Sequence, residues 1–164
     1  MKKHFSIAFL LVAFWGTNTY AQVSGSASAT VNLTVNAQVT VTTVRDLNFP
    51  SHVQDSTAAV VNPNSDGTEA AYFTLQTSAN HSCSISYTNT PMTFTTGSIS
   101  WTPSVVGAAS SSSQASATTV TSGSSVTTNG NGYYYFWLGG TTAPITNTLP
   151  AGAYQGTFDL TVTY

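Results

Sequence analysis

Charge is what this sequence has least of: 5% of its 164 residues are Asp, Glu, Lys or Arg. Lysine does not occur after position 3, and Arg45 is the only basic residue beyond the first 21. Against it stand Asp46, Asp55, Asp66, Glu69 and Asp159, so residues 22–164 carry a formal charge of 1 − 5 = −4. That excludes a nucleic-acid groove, in which several phosphates must be neutralised at once. It also excludes cross-links and surface attachment through lysine. A surface solvated by Ser, Thr, Asn and Gln suits subunits that lie against copies of themselves without like-charge repulsion.

Cysteine is nearly absent. The single Cys83 cannot form an internal disulfide, so stability has to come from an apolar core rather than from staples. Cys83 alternates in phase with Ile85 and Tyr87, which predicts that it points inward as a small hydrophobe. Helical periodicity is missing after the first 21 residues, and so is any second long apolar run, so no direct membrane span is expected. Catalytic signatures are missing too. There is no Gly-x-Ser-x-Gly elbow, and His52 and His81 are the only histidines after position 4. The expectation is a non-enzyme without cofactor or metal. Asn62-Pro63-Asn64-Ser65-Asp66-Gly67 has the oxygen spacing of half a calcium loop, but its twelfth position is Phe73 rather than a bidentate Glu, so a turn is expected.

What is present begins with an export signal. Lys2, Lys3 and His4 form a basic start, and Phe5–Trp15 an apolar core of about 11 residues, too short to cross a bilayer. Thr19-Tyr20-Ala21 offers small residues before Gln22, so residues 1–21 read as a cleaved signal peptide. The expected localisation is the periplasm in transit, then the cell surface or the medium.

From Val23 to Val41 every odd position is apolar or tiny and nearly every even one is Ser, Thr, Asn or Gln. Such period-2 alternation is the mark of a strand with one buried and one wet face. It is too long for one ordinary strand, and we divide it near Asn36. Residues 22–35 are a candidate extension whose apolar face is Val23, Gly25, Ala27, Ala29, Val31, Leu33 and Val35. Residues 36–164 are the domain, its first strand running into Leu47 and Phe49.

Along the domain, short alternating runs between turn residues predict an all-β, antiparallel, immunoglobulin-like sandwich of about seven to nine strands. Thr57–Val61 and Ala70–Thr77 flank the turn at 62–67 and read as a hairpin. Runs at His81–Thr88, Met92–Thr95 and Ser98–Thr102 follow. The Ser/Thr-rich segment 107–132 reads as a loop or as edge strands, with partial mobility favoured by its poor apolar content. Tyr133–Leu138, apolar on both faces, predicts a central strand. Tyr133, Tyr135 and Trp137 are candidate ligand-stacking aromatics for a glycan. Tyr154–Tyr164 is the last strand, with Phe158, Leu160, Val162 and Tyr164 in one phase.

The block Trp137-Leu138-Gly139-Gly140, followed by Leu149-Pro150-Ala151-Gly152-Ala153-Tyr154-Gln155-Gly156-Thr157 and the strand ending at Tyr164, resembles a bacterial secreted family, domain of unknown function 4402. Arg45-Asp46-Leu47-Asn48-Phe49-Pro50 is similar to that family's Asp-Leu-Asp-Phe-Gly element, with Asn48 and Pro50 in place of Asp and Gly. The architecture also resembles fimbrial subunits of the chaperone–usher and spore-coat-U-like kind. This resemblance implies a sandwich that lacks a strand and accepts one from a neighbouring copy or related subunit. Residues 23–35 would be the donor face, and Phe158, Leu160, Val162 and Tyr164 would border the groove. A periplasmic chaperone and an outer-membrane usher would be the transient partners. The residues leave a second reading open, a self-contained adhesin or carbohydrate-binding module.

Overall fold

The computed structural model describes residues 30, 32, 33 and 38–164. The chain divides into residues 1–34 and residues 35–164. In the first unit Leu33 is exposed. The second is all-β, and among the described residues its one helical element is a 3-10 turn, Gln114–Ser116.

Eleven strands are described: β1 Thr40–Arg45, β2 Val60–Val61, β3 Ala71–Gln76, β4 Ser82–Asn89, β5 Met92–Phe94, β6 Gly97–Ile99, β7 Trp101–Ala108, β8 Thr118–Thr119, β9 Ser125–Thr127, β10 Tyr133–Thr142 and β11 Phe158–Thr163. The expectation of seven to nine lies between this total and the six strands of six or more residues. One sheet has the order β1-β3-β10-β7-β8, with β2 beside the far end of β10; a second has the order β11-β4-β9; β5 and β6 form a separate hairpin. All pairs are antiparallel.

The two main sheets make a β-sandwich because their alternation points apolar residues at one another. Leu75, Phe73 and Ala71 lie opposite Tyr134, Phe136 and Leu138 across β3 and β10, and Leu138 lies opposite Val105 across β10 and β7. These residues meet Cys83, Ile85 and Val126 of the second sheet in one core. Leu75 and Phe136 are fully buried, and Cys83 is 1% exposed. A fully buried Leu, Ile or Phe contributes about 1.5–3 kcal/mol relative to exposure, so a core of this kind can hold the fold without a disulfide.

Two expectations change, and an open alternative narrows. Residues 57–61 and 70–77 do not form a hairpin: β2 pairs with β10, and β3 with β1 and β10. Trp101 opens an eight-residue strand that the sequence reading cut short at Thr102. Pro103 broke the pattern, but β8 covers β7 only at Val106 and Gly107, so Pro103 lies where no partner asks for its missing N–H. Segment 107–132 holds two edge strands, β8 and β9, which set Val120 and Val126 into the core.

The Gly139-Gly140 pair is a double packing requirement. A Cβ on Gly139 would collide with the Val61 carbonyl oxygen and with Pro63, while one on Gly140 would lie 3.0 Å from Cε3 of Trp101 and 2.6 Å from the Thr102 oxygen. Glycine allows close approach on both faces of β10 at once.

Candidate functional site

The sandwich is closed along one side and open along the other. On the closed side the chain crosses from β8 to β9, and Val120 N–H donates to Val105 O at 2.9 Å while Gly123 N–H donates to Ile85 O at 2.8 Å. The Tyr87 hydroxyl donates to Val120 O at 3.3 Å and adds a tie. On the other side β1 ends one sheet and β11 ends the other, and among the described residues each is paired along one edge only.

Burial records the difference. The inward residues of the central strands are sealed apart from Tyr87 at the far end of β4, whereas Val39, Val41, Leu47, Phe49, Phe158, Leu160 and Val162 touch the core and remain partly exposed, as does Met92 of the β5–β6 hairpin. At one end of this side, where Leu47, Phe49 and Phe158 lie, opens a cleft of about 1030 Å³. Its floor is aromatic and apolar, formed by Phe73, Trp101, Leu138 and Phe158, and its rims are the segments 46–49 and 153–157. Asp46 is the only ionisable carboxylate in its lining. Phe73 and Phe158 face each other at 6.0 Å, and Trp101 meets both Phe49 at 5.8 Å and Phe158 at 6.3 Å. Such a side offers backbone donors and acceptors along two strand edges, with apolar side chains between them and, at one end, a cleft whose aromatic floor is ringed by polar groups.

Phe158, Leu160 and Val162 alternate inward along β11, with Asp159, Thr161 and Thr163 exposed between them. Tyr164 parts from that series: it is 53% exposed, and its ring lies flat on His81, centroids 3.6 Å apart. Of the candidate donor face, Leu33 is described; Val23, Gly25, Ala27, Ala29, Val31 and Val35 lie outside the described residues.

The candidate aromatics share the outer face of the larger sheet, away from the core. Tyr133 and Tyr135 stack at 6.2 Å with planes 10° apart. Trp137 is 3% exposed and presents no free face. The third accessible ring is Tyr72, which stacks with Tyr135 at 6.2 Å and with Trp137 at 5.4 Å. Sequence reasoning missed Tyr72 because it becomes a neighbour only through the register that sets it opposite Trp137. Burial pushes the Tyr72 hydroxyl above its ordinary pKa, opposed by a hydrogen bond with Thr74 and by the nearby Arg45 charge, while Tyr135 adds to the rise.

The remaining polar clusters are structural. His52 Nδ1 and Ser56 Oγ are 3.4 Å apart, but the neighbouring Asp55 carboxylate accepts Asn147 N–H at 3.1 Å. Asp66 accepts Asn62 N–H at 2.6 Å and closes its own turn, as expected for residues 62–67. Among the described residues no group of three His, Cys, Asp or Glu could hold a metal, and no helix is long and apolar enough to cross a membrane. Compared with protein-family models and with curated proteins, the chain matches none.

Proposed function

We propose that this chain is an exported, non-enzymatic structural subunit of a bacterial surface filament, fimbria or coat, whose copies join by β-strand addition. The observation that carries this reading is the side between β1 and β11, where apolar residues of both sheets stay partly exposed and an aromatic-floored cleft opens at one end. A strand laid there would hydrogen-bond along a free edge and bury alternate side chains in the cleft. β1 and β11 have six residues each, a length of about 20 Å at about 3.3 Å per residue. The alternating stretch 22–35 has the pattern such a cleft requires, with its apolar residues spaced by two. In this reading the domain is an immunoglobulin-like sandwich short of one strand, related to domain of unknown function 4402 and to fimbrial subunits. A periplasmic chaperone covers the groove before assembly, and an outer-membrane usher exports the subunit.

Open edges of this kind invite uncontrolled pairing, and an exported subunit that polymerises by design makes use of the hazard. The test is deletion of residues 22–35 with the domain left intact. The truncated chain should fold and fail to assemble, as followed by electron microscopy and size-exclusion chromatography. Leu160→Asp leaves that stretch untouched but sets a carboxylate into the groove, and should block assembly as well. Normal polymers from either variant would overturn the reading. Loss of the folded domain on deletion would instead assign the stretch to its own sheet, as in a self-contained module.

A further inference from the structure

The outer face of the larger sheet lies away from the groove and takes no part in strand addition. Its rings differ from those of the core. Tyr134 and Phe136 meet at 55°, and Phe49 and Trp101 at 76°, the tilted contacts of close packing. Tyr133, Tyr135 and Tyr72 lie within 13° of parallel at 6.2 Å steps and remain partly exposed, a row rather than a cluster. Thr74 and Gln76 lie on the same strand face as Tyr72 and add a hydroxyl and an amide beside the row.

A backbone irregularity brings Arg45, the one Lys or Arg among the described residues, to this row. The β1–β3 register shifts between Thr43, opposite the core residue Phe73, and Arg45, opposite Tyr72. The extra residue, Val44, turns Arg45 to the outer face, where regular alternation would have sent it inward. Arg45 Nε–H donates to Ala70 O at 2.7 Å, which fixes the guanidinium plane while leaving the two terminal nitrogens their own donors. None of the strands of this sheet contains Asp or Glu. The nearest carboxylates in sequence, Asp46 and Glu69, follow and precede the strand ends at the margin of the sheet, so two copies meeting symmetrically through the strands would set two guanidinium groups against a face whose strands carry no carboxylate.

We infer that this face binds a linear acidic polysaccharide, a polyuronate: the tyrosine row stacks the apolar faces of successive pyranoses, and Arg45 takes a uronate carboxylate. An anionic chain supplies the charge the face lacks, a guanidinium fork matches a carboxylate, and a few polar groups among aromatics are the usual make-up of a binding surface.

The test is native affinity electrophoresis of the full chain in gels containing sodium polygalacturonate, with hydroxyethylcellulose as the neutral comparison. Retardation should occur with polygalacturonate alone and weaken with added salt. Tyr135→Ala and Arg45→Gln should each lower affinity at least tenfold, and Arg45→Lys should restore part of the loss from Arg45→Gln. Near-ultraviolet circular dichroism checks that each variant is folded, and Tyr133→Ala, at the end of the row, replaces Tyr135→Ala should that variant unfold. Leu160→Asp should leave retardation unchanged, which separates this inference from strand addition. No retardation by polygalacturonate, equal retardation by the neutral polymer, or binding indifferent to Arg45→Gln and to the tyrosine variants would overturn it.

Discussion

Phe73 and Phe158 belong to different sheets, and their rings meet 6.0 Å apart on the side of the sandwich that no strand closes among the described residues. Phe73 is buried and Phe158 only partly so. The pair therefore joins the sealed core to the open groove, and Phe158 also touches Tyr87 at 5.4 Å.

Replacing Phe158 tests how open that side is. Removing a fully buried Phe costs about 3–5 kcal/mol, which is the expectation for Phe136→Ala, at 0% exposure. Phe158→Ala should cost about 2 kcal/mol, because water already reaches part of the ring and fills the space it leaves. The measurement is the urea midpoint of the two variants at unchanged m-value. Equal losses would mean that the β1–β11 side is sealed as tightly as the centre.

The glycine pair gives an ordered prediction. At both positions backbone must move, but by different amounts: at Gly139 an added methyl collides with the Val61 carbonyl oxygen and with both the nitrogen and the ring of Pro63, whereas at Gly140 the one overlap is with the Thr102 carbonyl oxygen at 2.6 Å, the Trp101 ring lying at 3.0 Å or more. Gly139→Ala should destabilise by about 2–3 kcal/mol and Gly140→Ala by about 1–2 kcal/mol. Thermal melts give the order. Amide exchange at residues 59–63 should accelerate in Gly139→Ala, because β2 is held to β10 by two register pairs, Gly140 with Val61 and Thr141 with Val60.

What was legible in the sequence is what period 2 encodes. Phe73, Leu75, Cys83 and Ile85 announce their burial by alternation, while the aromatic run, apolar on both faces, announces the central strand β10 without saying which of its rings turn inward. Pairing partners were not legible, because alternation fixes which face a residue takes and not which strand lies beside it. That is why two segments flanking a good turn read as a hairpin while β2 in fact joins β10. The same limit hid Tyr72 from the aromatic row, and Val44, whose bulge reverses the phase after Thr43, hid the facing of Arg45. Segment 107–132 reads as loop or as edge strands alike because two sizeable apolar residues, Val120 and Val126, stand among many polar ones. Edge strands need no more than that, since one flank of each is left to water.

Burial of three acidic protons predicts the response to alkali. Cys83 is raised above its ordinary 9.0 by burial, Tyr134 above 10.0 by burial against a hydrogen bond with Thr118, and Tyr72 above 10.0 as described above. In each case the folded chain keeps a proton that the unfolded chain has released, so the folded state binds more protons above the ordinary pKa. Stability is therefore level below about pH 8.5 and falls as the pH rises through 9 and then 10, by at most about 1.4 kcal/mol per pH unit for each group. Urea midpoints at pH 7, 9 and 10.5 should show two stages. Cys83→Ala should remove the first and leave the tyrosine stage in place. In the native chain the thiol should resist a disulfide-exchange reagent at pH 8 and react once urea unfolds it, since the thiolate is the nucleophile and Cys83 is 1% exposed. A midpoint that holds level to pH 10.5, or prompt reaction of the folded protein, would contradict a proton held by burial.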